Sequence, residues 1–307
     1  MTKRQRGSSL AILEEKIMLT WRIGAVKITR VVEMDMPIEY DERRPFLKQA
    51  RPDELARIPW LAPHYVTPTG GLKLSIHALL VEAPGLRLVV DTCIGNDKPR
   101  KLSGGQPLAT NFLERLAEAG WSRDSVDMVI CTHLHVDHVG WNTMLENGRW
   151  VPTFPKARYL IGEKEYAHWS TQGEGEDLEI LDDSVRPVFD AGLVDFVAMD
   201  HRLSPEIRLM PTPGHTPGHV SVVIESQGER ALITGDSMHH PCQIARPDWS
   251  PWFDVDPVAS EVTRKQMLGD LADQPILVIG THFAAPTAGH VKRDGDTYRF
   301  EGRLPAM

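Results

Sequence analysis

Thr132-His133-Leu134-His135-Val136-Asp137-His138-Val139-Gly140 is the stretch around which the rest of the chain can be ordered. It follows Asp127-Met128-Val129-Ile130-Cys131, a short apolar run that reads as a buried strand. Four side chains with nitrogen or oxygen donors fall at i, i+2, i+4 and i+5. This is not a helical metal motif, because His133 and His135 would point to different sides of a helix. In an extended or turning segment i and i+2 project together, so His133 and His135 can grip one metal ion. Asp137 and His138 follow as the chain turns and can reach a second. Three further donors sit at or just after predicted strand ends, where loops gather at one edge of a scaffold. His215 lies in the rigid loop Thr212-Pro213-Gly214-His215-Thr216-Pro217-Gly218-His219, Asp236 closes Ala231-Leu232-Ile233-Thr234-Gly235-Asp236, and His282 closes Ile276-Leu277-Val278-Ile279-Gly280-Thr281-His282. Together they complete a two-metal ligand set.

Outward from these motifs the chain alternates strands and helices. β-branched alternation predicts a strand from Trp21 to Glu33, and apolar runs at Leu72–Glu82 and Leu86–Asp91 flank Ala83-Pro84-Gly85 as a hairpin. Helical spacing predicts helices at Thr110–Gly120, Glu163–Trp169, Glu176–Phe189 and Pro257–Leu271. Further strands are expected at Tyr159–Ile161, Val194–Ala198, Ile207–Pro211, Val220–Glu225, Arg230–Thr234 and Pro275–Gly280. Residues 36–70 are punctuated by prolines and read as a long binding loop, a lid or a disordered segment. Residues 1–20 read as a weakly ordered leader ahead of one domain over 21–307, with Met18 an alternative start. Two β-rich halves, each covered by helices, suggest an αββα sandwich of four layers, while the pattern by itself supports a mixed α/β chain and no more.

Composition narrows the function classes. The 307 residues include 34 basic and 42 acidic side chains, a net charge of −8, which disfavours a binder of nucleic-acid backbones. Hydrophobic residues at 41% and charged residues at 25% are ordinary for a folded soluble chain. No apolar run approaches the roughly 20 residues of a membrane helix, and the apolar patch Leu10–Leu13 is too short for a signal peptide, so a cytoplasmic protein without membrane partner is expected. Cys93, Cys131 and Cys242 are scattered, which indicates neither a disulfide framework nor a thiolate zinc site.

With Asp91 after a strand, the H-x-H-x-D-H run at 133–138, then His215, Asp236 and His282 in that order, the sequence resembles the metallo-β-lactamase superfamily from about Val26 to its C-terminus. The resemblance implies the αββα fold as a single domain, with the site at one edge of the sandwich. It implies His133, His135 and His215 on one ion, Asp137, His138 and His282 on the other, and Asp236 bridging both. Asp91 would orient ligands instead of binding metal. Two divalent ions sharing a water lower its pKa towards neutral. A His/Asp donor set suits zinc first, with manganese, cobalt or iron as alternatives. Asp236 stands where some β-lactamases of this fold place Cys or Ser, and His135 where oxidase-type relatives carry Glu. What remains looks like the branch of N-acyl homoserine lactonases and methyl parathion hydrolase, in which dimers are common.

The expected activity is therefore a dinuclear hydrolase that cleaves a lactone or small ester by metal-bound hydroxide, acting on a small molecule as a homodimer. An organophosphate triesterase is the first alternative, and an iron-dependent redox enzyme or a non-catalytic binding protein stands further off. Asp137 doubles as a candidate proton shuttle. His239 replaces the Tyr that lactonases place three residues beyond the bridging Asp, and with His240 it is a candidate to hydrogen-bond substrate or protonate a leaving group. His219 is expected to anchor its loop. Trp141, Trp249, Trp252, Phe253 and Phe283 are candidate walls of an apolar substrate pocket.

Overall fold

A computed structural model describes residues 18–305. Of the leader expected over 1–20, residues 1–17 lie outside the described residues, Leu19 is buried, and Thr20 already opens a strand. Strands β1 (Thr20–Ile23) and β2 (Val26–Ile38) pair antiparallel, so the single strand expected over 21–33 is a hairpin that runs further. Its turn needs a glycine: Gly24 has φ +55°, and a Cβ there would lie 2.4 Å from the Ser226 carbonyl oxygen.

One sheet of seven strands continues with β3 (Leu72–Ala83), β4 (Leu86–Val90), β5 (Met128–Ile130), β8 (Arg158–Gly162) and β9 (Val194–Val197), in the order β1-β2-β3-β4-β5-β8-β9. A small hairpin, β6 (Thr143–Glu146) with β7 (Arg149–Pro152), stands apart. The second sheet has six strands in sequence order: β10 (Ile207–Pro211), β11 (Val220–Ser226), β12 (Glu229–Ile233), β13 (Ile276–Ile279), β14 (Ala288–Asp294) and β15 (Thr297–Gly302). Most pairs are antiparallel, but β4, β5, β8 and β9 run parallel, as do β12 and β13.

Side-chain alternation sorts each strand between layers. Leu79, Val81, Leu88 and Val90 of the first sheet meet Leu209, Val222, Ile224 and Ile233 of the second in a central core. Ala78, Leu80 and Val89 face outward against helix α1 (Phe112–Glu118) and a helical run from Glu176 to Asp190. Val223, Leu232 and Val278 face outward against Met267, Leu268 and Leu271 of helix α3 (Pro257–Leu271). In chain order helix α2 (Glu163–Gln172) falls between α1 and α3, directly after β8. The result is the expected αββα sandwich. The helix expected over 176–189 is interrupted by a π turn at Leu181–Val185, ahead of Pro187, which has no N–H to continue the ladder. Among the described residues no helix is long and apolar enough to cross a membrane.

The strand ends position the site. β4, β5, β12 and β13 all end at one edge of the sandwich and hand over directly to Asp91, the 132–138 segment, Asp236 and His282. The β10–β11 connection carries His215 to the same edge.

Candidate metal centre

After β5 the chain bends at Thr132 and His133, is extended at His135, then makes one helical turn at Val136–Val139, with His138 N–H donating to the His135 carbonyl. Asp91 holds this segment. It has φ +59°, and its carboxylate accepts from Thr132 N–H (2.7 Å), the Thr132 hydroxyl (2.9 Å) and His138 Nδ1 (2.9 Å). That leaves His138 Nε2 free to face the centre.

Two groups of donors converge. His133 Nε2 lies 3.0 Å from His135 Nδ1, which lies 2.9 Å from His215 Nε2. One ring nitrogen has a single hydrogen or a single in-plane lone pair, so His135 Nδ1 can satisfy only one of these neighbours. A cation satisfies all three: ligands at about 2.0–2.1 Å from a tetrahedral ion are about 3.3 Å apart. In the second group His282 Nε2 lies 3.2 Å from His138 Nε2 and 3.5 Å from Asp137 Oδ2, and His138 Nε2 lies 3.5 Å from Asp137 Oδ1. Asp236 reaches both. Its Oδ2 is 3.7 Å from His133 Nε2, 3.5 Å from His215 Nε2 and 3.3 Å from His138 Nε2, while Oδ1 is 3.1 Å from His282 Nε2. Asp236 Oδ1 is buried with no hydrogen-bond partner. The residues present fit a pair of cations.

Electrostatics agree with this. Burial, then neighbouring histidines, hold His133, His135 and His215 well below the usual histidine range, so their lone pairs are available. Burial opposes charge on His138 and His282 as well, but the carboxylates of Asp236 and Asp137, with Asp91 beside His138, outweigh it and raise both. Asp236 is buried too, yet His138, His282 and His239 hold it well below the usual carboxylate range.

The other expected site residues separate. His219 is buried, its Nε2 accepts from Asp236 N–H (2.8 Å) and its Nδ1 donates to the Thr212 carbonyl (3.0 Å), so it anchors two ligand loops at once. His239 lies at the centre, with Nε2 3.2 Å from Asp236 Oδ2 and both ring nitrogens without a hydrogen-bond partner. His240 corrects the expectation made for it: its Nε2 donates to the Tyr65 carbonyl (2.7 Å) and its Nδ1 accepts from Cys242 N–H (3.1 Å), which turns the ring away from the centre and uses both nitrogens.

A cleft of about 430 Å³ opens onto His135, Asp137, Asp236, His239 and His282. Trp252 and Phe253 line it; Phe253 stands edge-on to His239 at 5.3 Å, and Trp252 is 61% exposed at the mouth beneath Arg44. Three expected wall residues do not line it. Trp141 is buried, stacks on Phe112 and donates its indole N–H to Glu33 (2.6 Å), because the turns after Val136 rotate it into the outer core. Phe283 bridges to Leu74 through its backbone and packs its ring on Phe300 in the core, away from the cleft. Trp249 is buried in the core under α3. In their place the cleft takes Met36, Ile38, Phe46 and Leu74. No periodicity in the proline-punctuated stretch marks Phe46 as a wall residue. Asp254 was also missed: it accepts from His215 Nδ1 at 2.8 Å, and only its place just after Trp252-Phe253 hints at this.

Comparison with known proteins gives consistent findings. A family model described as the metallo-beta-lactamase superfamily matches residues 72–282. The chain is 26% identical over 172 residues to an N-acyl homoserine lactonase of Bacillus sp, covering 55% of this chain and 60% of that protein. It is 28% identical over 167 residues to an N-acyl homoserine lactonase of Bacillus cereus, covering 54% and 59%. The match thus spans less than two thirds of these relatives' length. Among solved structures the chain is similar to AidC, a dizinc quorum-quenching lactonase in complex with a product, at TM-score 0.77 and 19% identity over 94% of this chain and 98% of that one. It is similar to the hydrolase AbOPH at TM-score 0.76 and 22% identity over 94% and 97%. At these identities the structural likeness speaks for the fold.

Proposed function

The chain belongs to the metallo-beta-lactamase superfamily, and from that premise we propose that it is a metal-dependent hydrolase opening a lactone or a small ester. The observation that carries the reading is the pair of donor groups that Asp236 reaches from both sides, at the floor of a cleft with apolar and charged walls. His133, His135 and His215 would hold one divalent ion, Asp137, His138 and His282 a second, with Asp236 common to both. Zinc suits this donor set best, and manganese, cobalt or iron fit it as well. When bound, the ions supply a water of lowered pKa and a Lewis acid for the carbonyl oxygen.

The chain's own residues do the rest. Phe46, Phe253, Leu74 and Met36 exclude water and receive an apolar acyl group. His239, buried with both ring nitrogens unengaged, donates a hydrogen bond to the substrate or a proton to the leaving oxygen. Asp137 is partly exposed to the cleft and carries a proton between water and product. Asp91 and Asp254 keep the rings of His138 and His215 in orientation, and His219 holds the backbone of Asp236. Cytoplasmic residence and a homodimer belong to the same proposal. The face for a second copy is the exposed stripe Trp252, Val258 and Val262, beside a cleft lined by basic Arg43 and Lys48 and by acidic Asp248 and Glu261. A two-fold axis would set the basic residues of one copy against the acidic residues of the other.

Elemental analysis with a hydrolysis panel tests the reading. About two metal ions per chain are expected, with lactone or arylester turnover that chelator abolishes and added metal restores. Faster cleavage of a phosphotriester would select the triesterase alternative, and iron with oxygen consumption the redox one. A chain that takes up no metal, or hydrolysis that survives chelation, overturns the proposal.

A further inference from the structure

One buried carboxylate near the centre is neither a ligand nor a partner of a ligand ring. Glu165, in the first turn of α2, is 1% exposed, and among the described residues it forms no ion pair with Lys, Arg or His within 4 Å. Its partners are N–H donors. Oε1 accepts from Leu134 N–H (3.1 Å) and from the Trp169 indole (2.6 Å), and Oε2 accepts from Gly218 N–H (2.9 Å). Leu134 is the residue between His133 and His135. Gly218 belongs to the loop between His215 and His219.

We propose that Glu165 is a positioning residue of the metal centre, fastening the His133–His135 segment to the His215 loop so that three imidazoles from two loops meet at one ion. This rests on the metal-site reading above. Three details support it. The two loops join at the 2.9 Å contact of His135 Nδ1 with His215 Nε2, and the Glu165 carboxylate spans the backbone beside that contact. Trp169, one helical turn on from Glu165, packs its ring on His135 with centroids 5.1 Å apart, so α2 steadies the same ligand from a second side. The approach of α2 is close enough to require a glycine: a Cβ on Gly218 would lie 2.3 Å from Glu165 N.

The chemistry also explains why the residue is an acid. An ionised carboxylate accepts at both oxygens, whereas a glutamine amide must turn its NH₂ towards one of the donors, leaving two N–H groups facing each other. Aspartate lacks the methylene needed to span both loops. Burial raises the Glu165 pKa, with hydrogen bonds from its donors opposing the rise.

The test is a metal titration of chelator-stripped protein in competition with a chromophoric chelator, using zinc and cobalt. The wild type should show two binding steps, and the step that survives in His282→Ala identifies the ion of His133, His135 and His215. Glu165→Gln should weaken that step about 10- to 100-fold and leave the other within about threefold, with a changed visible spectrum for cobalt in that position. Trp169→Phe, which keeps the ring on His135 but deletes one donor, should weaken the same step by a smaller factor and covers the case in which the first variant misfolds. Unchanged affinities in both variants overturn the proposal. So does equal weakening of both steps together with a lower melting temperature of the metal-free protein, which would mean a merely structural role. A wild type that binds no metal instead overturns the metal-site reading itself.

Discussion

His239 and His240 are adjacent in sequence, yet the structure gives them opposite tasks, and replacing His240 by Gln tests the division. His240 is buried with a hydrogen bond at each ring nitrogen, and burial lowers its pKa from 6.5 to about 4, with the Tyr65 carbonyl acting in the opposite direction. Because the folded-state value lies below the unfolded one, the unfolded chain takes the proton first. The stability this residue supports is therefore complete above about pH 6.5 and is lost as pH falls through about 4. The gap of about 2.5 pH units corresponds to about 3 kcal/mol at 1.36 kcal/mol per unit, of which about 2.5 is gone by pH 4.5. Glutamine can still donate to the Tyr65 carbonyl but no longer accepts from Cys242 N–H, at a cost of about 1 kcal/mol. Urea unfolding of chelator-treated proteins should then find His240→Gln less stable than wild type by about 1 kcal/mol at pH 7 and more stable by roughly 1–2 kcal/mol at pH 4.5. Turnover per bound metal at pH 7 should stay within about twofold of wild type, whereas His239→Ala should lower kcat by about 10²- to 10⁴-fold. Stability curves that stay parallel from pH 7 to 4.5 would refute the buried-neutral argument. A large loss of turnover in His240→Gln would refute its placement away from the chemistry.

Two further outcomes follow from the cleft and the surface beside it. Phe253→Ala removes an aromatic wall that touches His239 and His215, so KM for an acyl substrate should rise about tenfold with a smaller change in kcat; an unchanged KM in steady-state kinetics would place the acyl group elsewhere. Val258→Glu with Val262→Glu puts charge on the exposed stripe of α3. Light scattering should then find monomers where the wild type is dimeric, and a variant that stays dimeric would rule out this face.

How far the sequence could be read depended on whether a signal was local. The H-x-H-x-D-H run after a buried strand carries its own geometry, and the pairing of Asp91 with Thr132 and His138 follows from two neighbouring strands that end at the same edge. The layers were legible because Ala78, Leu79, Leu80 and Val81 alternate faces regardless of their surroundings. The cleft was not. Adjacency to a ligand carries no direction: Trp141 is rotated inward by intervening helical turns, and Phe283 packs on Phe300 in the core. Phe46 reaches the site only because the segment after β2 folds over it, which no short-range pattern encodes. Glu165 and Asp254 stand among 42 acidic residues, and only burial beside the ligand loops distinguishes them.

That burial has a consequence for the centre as a whole. Asp91 and Asp236 are buried and Asp137 nearly so, yet among the described residues none has a Lys or Arg within 4 Å; their ion-pair partners are all histidines. Isolated buried carboxylates are too costly to keep ionised without compensation. In the protein alone the compensation comes from protons drawn onto His138 and His282, whose pKa values are raised for that reason. A divalent cation in each group would supply the same positive charge without those protons, and with ligand lone pairs already facing inward. Metal uptake should therefore release protons at neutral pH, and the grouping of carboxylates with histidines alone is what a chain evolved to hold cations needs and a merely polar loop does not.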